Sequence, residues 1–429
     1  MDDAVSRLQA LASQMSLEPD SEYPGLQRVA CCPSNAPLDA LTRDTLTRDT
    51  VTHDTVTHDT GKRDTEIFVH PAILPNGQRI KLLKTLLTSA CERDCYYCPF
   101  RAGRDTRRAA FQPEEFARLF MMLATKGIAE GMFLSSGVAG GGVRTQDRLL
   151  DTADILRNKL GFRGYLHLKI MPGAERAQVE RAMQLADRVS VNLEAPNSQR
   201  LSRLAPHKQF IEELHQPLKW VDEIRRTQPR LSSSSTAGHP SSTAGHPIAG
   251  YQRHWPSSVT QFVAGGAGES DLELLATTSY LYRTLHLKRA YFSGFKPVLD
   301  TPLENQPPTD PLREHRLYQA SFLLRDYGFE LEELPFEAGG KLPVQNDPKQ
   351  AWAMRNLSEH PLEVNRAERH ELLRVPGIGS KGAEAILRAR RQAKLCDLSA
   401  LRALGILVGR AAPFLLLDGK RAAYQPTLF

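Results

Sequence analysis

Cysteine is scarce in this chain, six in 429 residues. That excludes a disulfide framework and points to a reducing cytoplasm, where clustered cysteines bind metals or do chemistry. Long apolar runs are also missing. No stretch of about 18 apolar residues occurs, so no transmembrane helix and no membrane partner are expected. The opening MDDAVSRLQALASQMS is acidic at once and lacks the cationic and apolar regions of a secretory signal. Charge of one sign is in only mild excess. A net +6 leans toward anionic partners and decides nothing alone. The hydrophobic content of 41% and charged content of 24% are those of a globular protein. The length exceeds what one core usually supports, so two or more domains are expected.

Two stretches are repetitive. Residues 41–65 read LTRDT-LTRDT-VTHDT-VTHDT-GKRDT, and residues 234–247 read SSTAGHP twice. Neither period matches a solenoid unit and neither can bury a core, so both are read as insertions. Their His53, His58, His239 and His246 have nothing rigid to fix them as metal ligands.

Between the repeats, strand-like and helix-like segments alternate. Strand patterns cover KLLKTLLTSA (81–90), GMFLSSG (131–137), YLHLKI (165–170), RVSVNLEAP (188–196), SSVTQFVAGG (257–266) and KRAYFSGF (288–295). Helical patterns cover 113–127, 144–160, 173–186, about 207–228 and 269–285. Such alternation predicts an α/β fold, a parallel sheet with helical crossovers that is closed or nearly closed into a barrel. The chemistry of such folds sits at the C-terminal ends of the strands. After about residue 300 the character changes to a proline-rich segment, a helix (313–329), a linker (334–350) and a small helical module.

The stretch CERDCYYCPF puts Cys91, Cys95 and Cys98 in eight positions at the end of the first of these strands. A structural zinc wants four ligands, and no second pair lies nearby: Cys31 and Cys32 are adjacent and remote, and Cys396 is isolated. Burial as small apolar residues does not account for three in one loop. A [4Fe-4S] cluster normally takes four thiolates, so three leave one iron open to a substrate or cofactor. The following FRAGRDTRR carries Arg101, Arg104, Arg107 and Arg108. They suit phosphate binding or simply a solvated loop.

The CxxxCxxC spacing, with the aromatic Tyr97 before the last cysteine, resembles the radical S-adenosylmethionine superfamily. The resemblance implies a [4Fe-4S] cluster on Cys91, Cys95 and Cys98, with S-adenosylmethionine on the open iron. Reductive cleavage would then give a 5′-deoxyadenosyl radical that abstracts hydrogen from a substrate. It also implies cosubstrate contacts at Tyr97 and at later strand ends. Ser135, Ser136 and Gly137 look like the turn that receives the methionine group, although they depart from the common Gly-Gly-Glu. Asn192 and Glu194 match the Asn-x-acid pattern that holds ribose. Gly265 and Gly266 fit a glycine turn against adenine. Each is also what an ordinary strand-end turn looks like.

The tail carries RHELLRVPGIGSKGAEAILRARR, a helix ending near Val375, a Pro-Gly-Ile-Gly-Ser turn and a second helix. It looks like a helix-hairpin-helix motif. Gly377 and Gly379 supply the turn, and the next helix start, with Ser380 and Lys381, offers amides to a phosphate of the DNA backbone. Such hairpins also serve as packing or protein-binding elements. Residues 398–415 read as a degenerate second hairpin.

Barrel and hairpin together resemble the family of radical S-adenosylmethionine proteins assigned to DNA modification or repair and linked to a uracil-DNA-glycosylase-like partner. The resemblance covers roughly residues 66–415, including SVNLEAPNSQRLSRLAPHKQ and FVAGGAGESDLELL. It implies an N-terminal extension (1–65), a partial (β/α)6 TIM-like barrel (66–300, insertion 231–250), a barrel-closing helix and linker (301–350), and an all-α hairpin domain (351–429). It further implies DNA and a reductase, flavodoxin or ferredoxin as partners. A radical enzyme acting on RNA and a non-catalytic iron–sulfur DNA-binding protein are the alternatives. No acid–base residue beyond the cluster stands out.

Overall fold

The computed structural model describes residues 2–15, 69–74, 77–228 and 255–421. Both repeats with their four histidines, and Cys31 and Cys32, lie outside them. The chain forms two compact units. The first holds the described residues up to 269 together with 280–309, and the second holds 270–279 and 310–421.

The first unit begins with helix α1 (Asp2–Met15) and is built on one seven-stranded sheet in the order β1 to β7. Its strands are β1 (Val69–Ile73), β2 (Arg79–Leu86), β3 (Gly131–Ser135), β4 (Tyr165–Lys169), β5 (Arg188–Glu194), β6 (Ser257–Ala264) and β7 (Arg289–Gly294). From β2 onward all neighbours are parallel, and β1 joins β2 as an antiparallel edge. Among the described residues β1 and β7 do not pair, so the barrel is partial. Residues from β2, β4 and β5 nevertheless line one cavity, which shows how strongly the sheet curls.

Side-chain alternation explains the two faces of the sheet. One face carries Leu83, Met132, Leu134, Leu166, Leu168, Val189, Val191, Phe262 and Phe292, each at most 1% exposed. It packs beneath amphipathic helices such as α2 (Pro113–Thr125), whose Phe116 and Phe120 are fully buried. The start of α2 is fixed by Pro113 in its first turn and by a capping box between Gln112 and Glu115. The other face looks into the barrel and is polar. The helix expected over 144–160 is α3 (Gly142–Asp154) running into a π-helical turn, Ile155–Lys159. The region 207–228 likewise opens with a π turn, Phe210–His215, before α6 (Gln216–Thr227); α4 (Arg176–Leu185) and α5 (Ser198–Leu204) precede it. Helix α7 (Asp271–Thr284) is divided between the two units.

The second unit contains α8 (Pro311–Asp326), α9 (Pro348–Asn356), two helical hairpins and a small sheet of β8 (Leu362–Glu363), β9 (Leu415–Leu417) and β10 (Lys420–Arg421), so residues 351–421 are not all-α as expected: the chain returning after the second hairpin pairs with the segment before the first. The first hairpin joins α10 (Arg369–Leu372), shorter than the pattern up to Val375 suggested, to α11 (Ser380–Ala389). The second joins α12 (Leu398–Ala403) to α13 (Val408–Ala411). Their turns correspond. Gly377 and Gly405 have φ of +83° and +79°, and Ile378 and Ile406, one residue after each, are both buried. The Leu407 amide donates to the Gly377 carbonyl at 3.3 Å, so the hairpins close on each other around one apolar core.

Candidate active site

The cysteine loop grows directly out of β2. Past Leu86 the chain still pairs with the segment after β3: the Leu87 amide donates to Ser135, the Gly137 amide to Thr88 and the Glu92 amide to Val138. This zipper leaves no room beside Gly137, where a Cβ would meet the Ala90 carbonyl oxygen at 2.2 Å and the Cys91 Cβ at 3.2 Å. The three residues between the first two cysteines then tie the loop to the segments that follow β3 and β5. The Glu92 carboxylate accepts from the amides of Gly140 and Gly141, both at 3.0 Å. Arg93 pairs with Glu213 and donates to the His207 carbonyl. Asp94 meets the His207 ring at 2.6 Å. The Tyr96 amide donates to the Leu204 carbonyl at 2.7 Å.

These ties hold all three cysteines on the wall of a cavity of about 620 Å³, a volume that includes space open to solvent. Tyr97, Ser136, Gly137, Asn192 and Glu194 line the same cavity, with Lys169 and Lys208. Glu194 is placed by a β-bulge after Asn192 and has φ +64°, a left-handed conformation unusual for glutamate. Thr260 serves the bulge: its hydroxyl donates to Val191 and accepts from the Leu193 amide. The Lys208 ammonium donates to Glu194 Oε1 at 3.1 Å, with both side chains buried. The Tyr97 phenol also interacts with this carboxylate.

Charge in this cavity is strongly coupled. Burial pushes the Cys95 and Cys98 thiols up. Burial and then the Glu194 charge push the Tyr97 phenol up. Glu194 goes the other way: burial works to raise it, but Lys208 and Lys169 outweigh that and hold it below the usual carboxylate range. Burial alone would lower Lys208, and the neighbouring Cys95 sulfur and Glu194 raise it instead.

Other residues singled out by sequence lie elsewhere. Ser135 is the last residue of β3, beside Leu86 in the ladder, and is not on the cavity wall. Nor are Gly265 and Gly266. Glu269 and Gln306 bind the backbone of their turn; a Cβ at Gly266 would meet Leu204 at 2.7 Å, and Gly265 has φ +96°. The arginine loop is mostly self-bound. Arg108 donates to the carbonyls of Ser89, Phe100 and Arg101, Arg104 donates to Pro99, and Arg101 stacks on Tyr96, while Arg107 is exposed. In the second unit Gly379 caps α11 in an extended conformation and Lys381 is exposed at its first turn. Arg390 is committed to the carbonyls of Val364 and Ala367, and Arg388 and Arg391 are exposed.

Sequence reasoning did not single out Lys169 or Lys208. A lysine at the C-terminal end of a buried strand was a signal for the first; Lys208 carries no local one. Among the described residues no three His, Cys, Asp or Glu side chains converge tightly enough to hold a single metal ion. The donor set therefore does not fit mononuclear zinc, whereas a cluster distributes three thiolates over three irons.

The chain matches no known family and no curated protein. Solved structures similar to it include the FeFe-hydrogenase maturase HydG from Carboxydothermus hydrogenoformans (TM-score 0.42, 14% identity, 57% of this chain and 51% of that one). Methylornithine synthase PylB gives TM-score 0.43 and 13% identity over 73% of this chain and 76% of that one. The cobalamin-dependent S-adenosylmethionine radical enzyme OxsB gives 0.29 and 10% over 51% and 33%. The chain spans about half the length of HydG.

Proposed function

We propose that the first unit is the core of a radical S-adenosylmethionine enzyme that modifies or repairs DNA, and that the paired hairpins of the second unit hold the DNA backbone. One observation carries the catalytic half: three cysteines of a single loop share a cavity at the strand ends with Ser136, Gly137, Asn192 and Glu194. The residues fit the group. The thiols suit iron, the loop is locked against Gly137, and Glu194 is a buried carboxylate at the strand end, an acceptor that suits a ribose hydroxyl. Cys91, Cys95 and Cys98 would hold three irons, and the turn at Ser136 and Gly137 would receive the methionine group. When bound, the cluster supplies the electron for reductive cleavage of S-adenosylmethionine.

The DNA half rests on Gly377, Gly379, Ser380 and Lys381 at the start of α11, where backbone amides and a cation suit a phosphate. A target base in duplex would have to leave the stack to reach the barrel. The test is 5′-deoxyadenosine release by anaerobically reconstituted, reduced protein with and without DNA. Release stimulated by duplex DNA, and not equally by tRNA, is expected. No release from protein carrying a verified cluster would overturn the proposal.

A further inference from the structure

The segment that follows α5 interlocks with the cysteine loop residue by residue. The Leu204 carbonyl accepts from the Tyr96 amide, the His207 carbonyl accepts from Arg93, and the His207 ring meets Asp94. The next residue is Lys208. Its amide donates to the Ala205 carbonyl at 3.0 Å, and its side chain lines the cysteine cavity. The ammonium donates to Glu194 Oε1 at 3.1 Å and also interacts with the Cys95 sulfur. All three groups are enclosed: Cys95 is 6% exposed, and the side chains of Lys208 and Glu194 are 9% and 5% exposed.

The three sulfurs are therefore not equivalent. Cys91 and Cys98 are half-buried, and the Cys98 sulfur accepts from the Phe100 amide at 3.4 Å. Cys95 is the buried one, and it has a full positive charge beside it. Glu194 also acts on Cys95, with the opposite sign and more weakly than Lys208. Reduction adds negative charge to a cluster, so a cation and a hydrogen bond at a ligand sulfur favour the reduced form. Burial leaves that effect poorly screened.

We infer that Lys208 is a positioning residue that acts through Cys95, its ammonium raising the reduction potential of the cluster on this loop while Glu194 opposes it. The inference deepens the reading of this cavity as a radical S-adenosylmethionine site and rests on it. One stretch, residues 204–208, then both clamps the loop and sets the charge against its buried ligand.

The test is a redox titration of the reconstituted full-length chain without S-adenosylmethionine, followed by electron paramagnetic resonance after iron content is measured. Lys208→Met should move the midpoint down by about tenfold or more in the reduction equilibrium, about 59 mV for a one-electron couple. Glu194→Gln should move it up. Lys208→Met/Glu194→Gln leaves no unpaired charge in the cavity; it should fall below the wild type by less than the lysine variant does. Lys208→Arg keeps the charge and should stay nearest the wild type. An ion pair with a structural role alone would change stability and leave every midpoint in place. Unchanged midpoints in the lysine and double variants, or a downward shift in both Lys208→Met and Glu194→Gln, overturn the inference and leave the cluster standing. Loss of iron from all four variants would make Lys208 a support of the loop alone, which also overturns it. A wild-type chain that takes up no cluster sinks the reading of the cavity, and this inference with it.

Discussion

Lys208 and Glu194 meet in the cavity with side chains only 9% and 5% exposed. A buried pair of this kind contributes little net stability, but removing one member leaves an uncompensated charge. Lys208→Met should therefore lower the unfolding free energy by about 3–5 kcal/mol, and adding Glu194→Gln should recover most of that loss. Urea unfolding of the two variants measures it. Equal destabilisation of the single and double variants would show that Lys208 acts through packing alone. The same residues show what sequence conveys at this scale. Cys91, Cys95 and Cys98 were legible because spacing in one loop is local information. Asn192 and Glu194 were legible because a strand end is. The partners of Glu92, Arg93 and Asp94, by contrast, lie 48 to 49, 114 to 120 and 113 residues away, and no pattern in CERDC names them.

At the scale of elements, the six parallel strands follow the hydrophobic runs closely, because strands buried on one face and sealed by helices read as short apolar segments. The antiparallel β1 carries no such signal: VHPAI has a proline, which an edge strand tolerates and a central strand does not. In the tail, the Pro-Gly-Ile-Gly turn was legible through its glycines, and the pairing of the two hairpins was only partly so. The two turn glycines differ in a measurable way. Both have positive φ, but a Cβ on Gly377 would meet the Leu407 carbonyl oxygen at 2.5 Å, while one on Gly405 would meet nothing within 4 Å. Gly405→Ala should cost about 1–2 kcal/mol from backbone strain alone. Gly377→Ala should cost clearly more and should also reduce DNA binding, read by duplex titration. Equal costs would contradict the back-to-back packing of the hairpins.

At the scale of the whole molecule, two units with different chemistry share one chain: a barrel whose strands carry a single acid, Glu194, and a mainly helical unit with the exposed Lys381 at a helix start. The cysteine cavity of the first is the centre of the functional claim. Electron paramagnetic resonance of the reduced, reconstituted chain tests it most directly. A [4Fe-4S] signal that changes when S-adenosylmethionine is added, and that is absent in Cys95→Ala, is the predicted result. A signal indifferent to S-adenosylmethionine, or a full cluster in Cys95→Ala, would contradict an open iron held by these three cysteines.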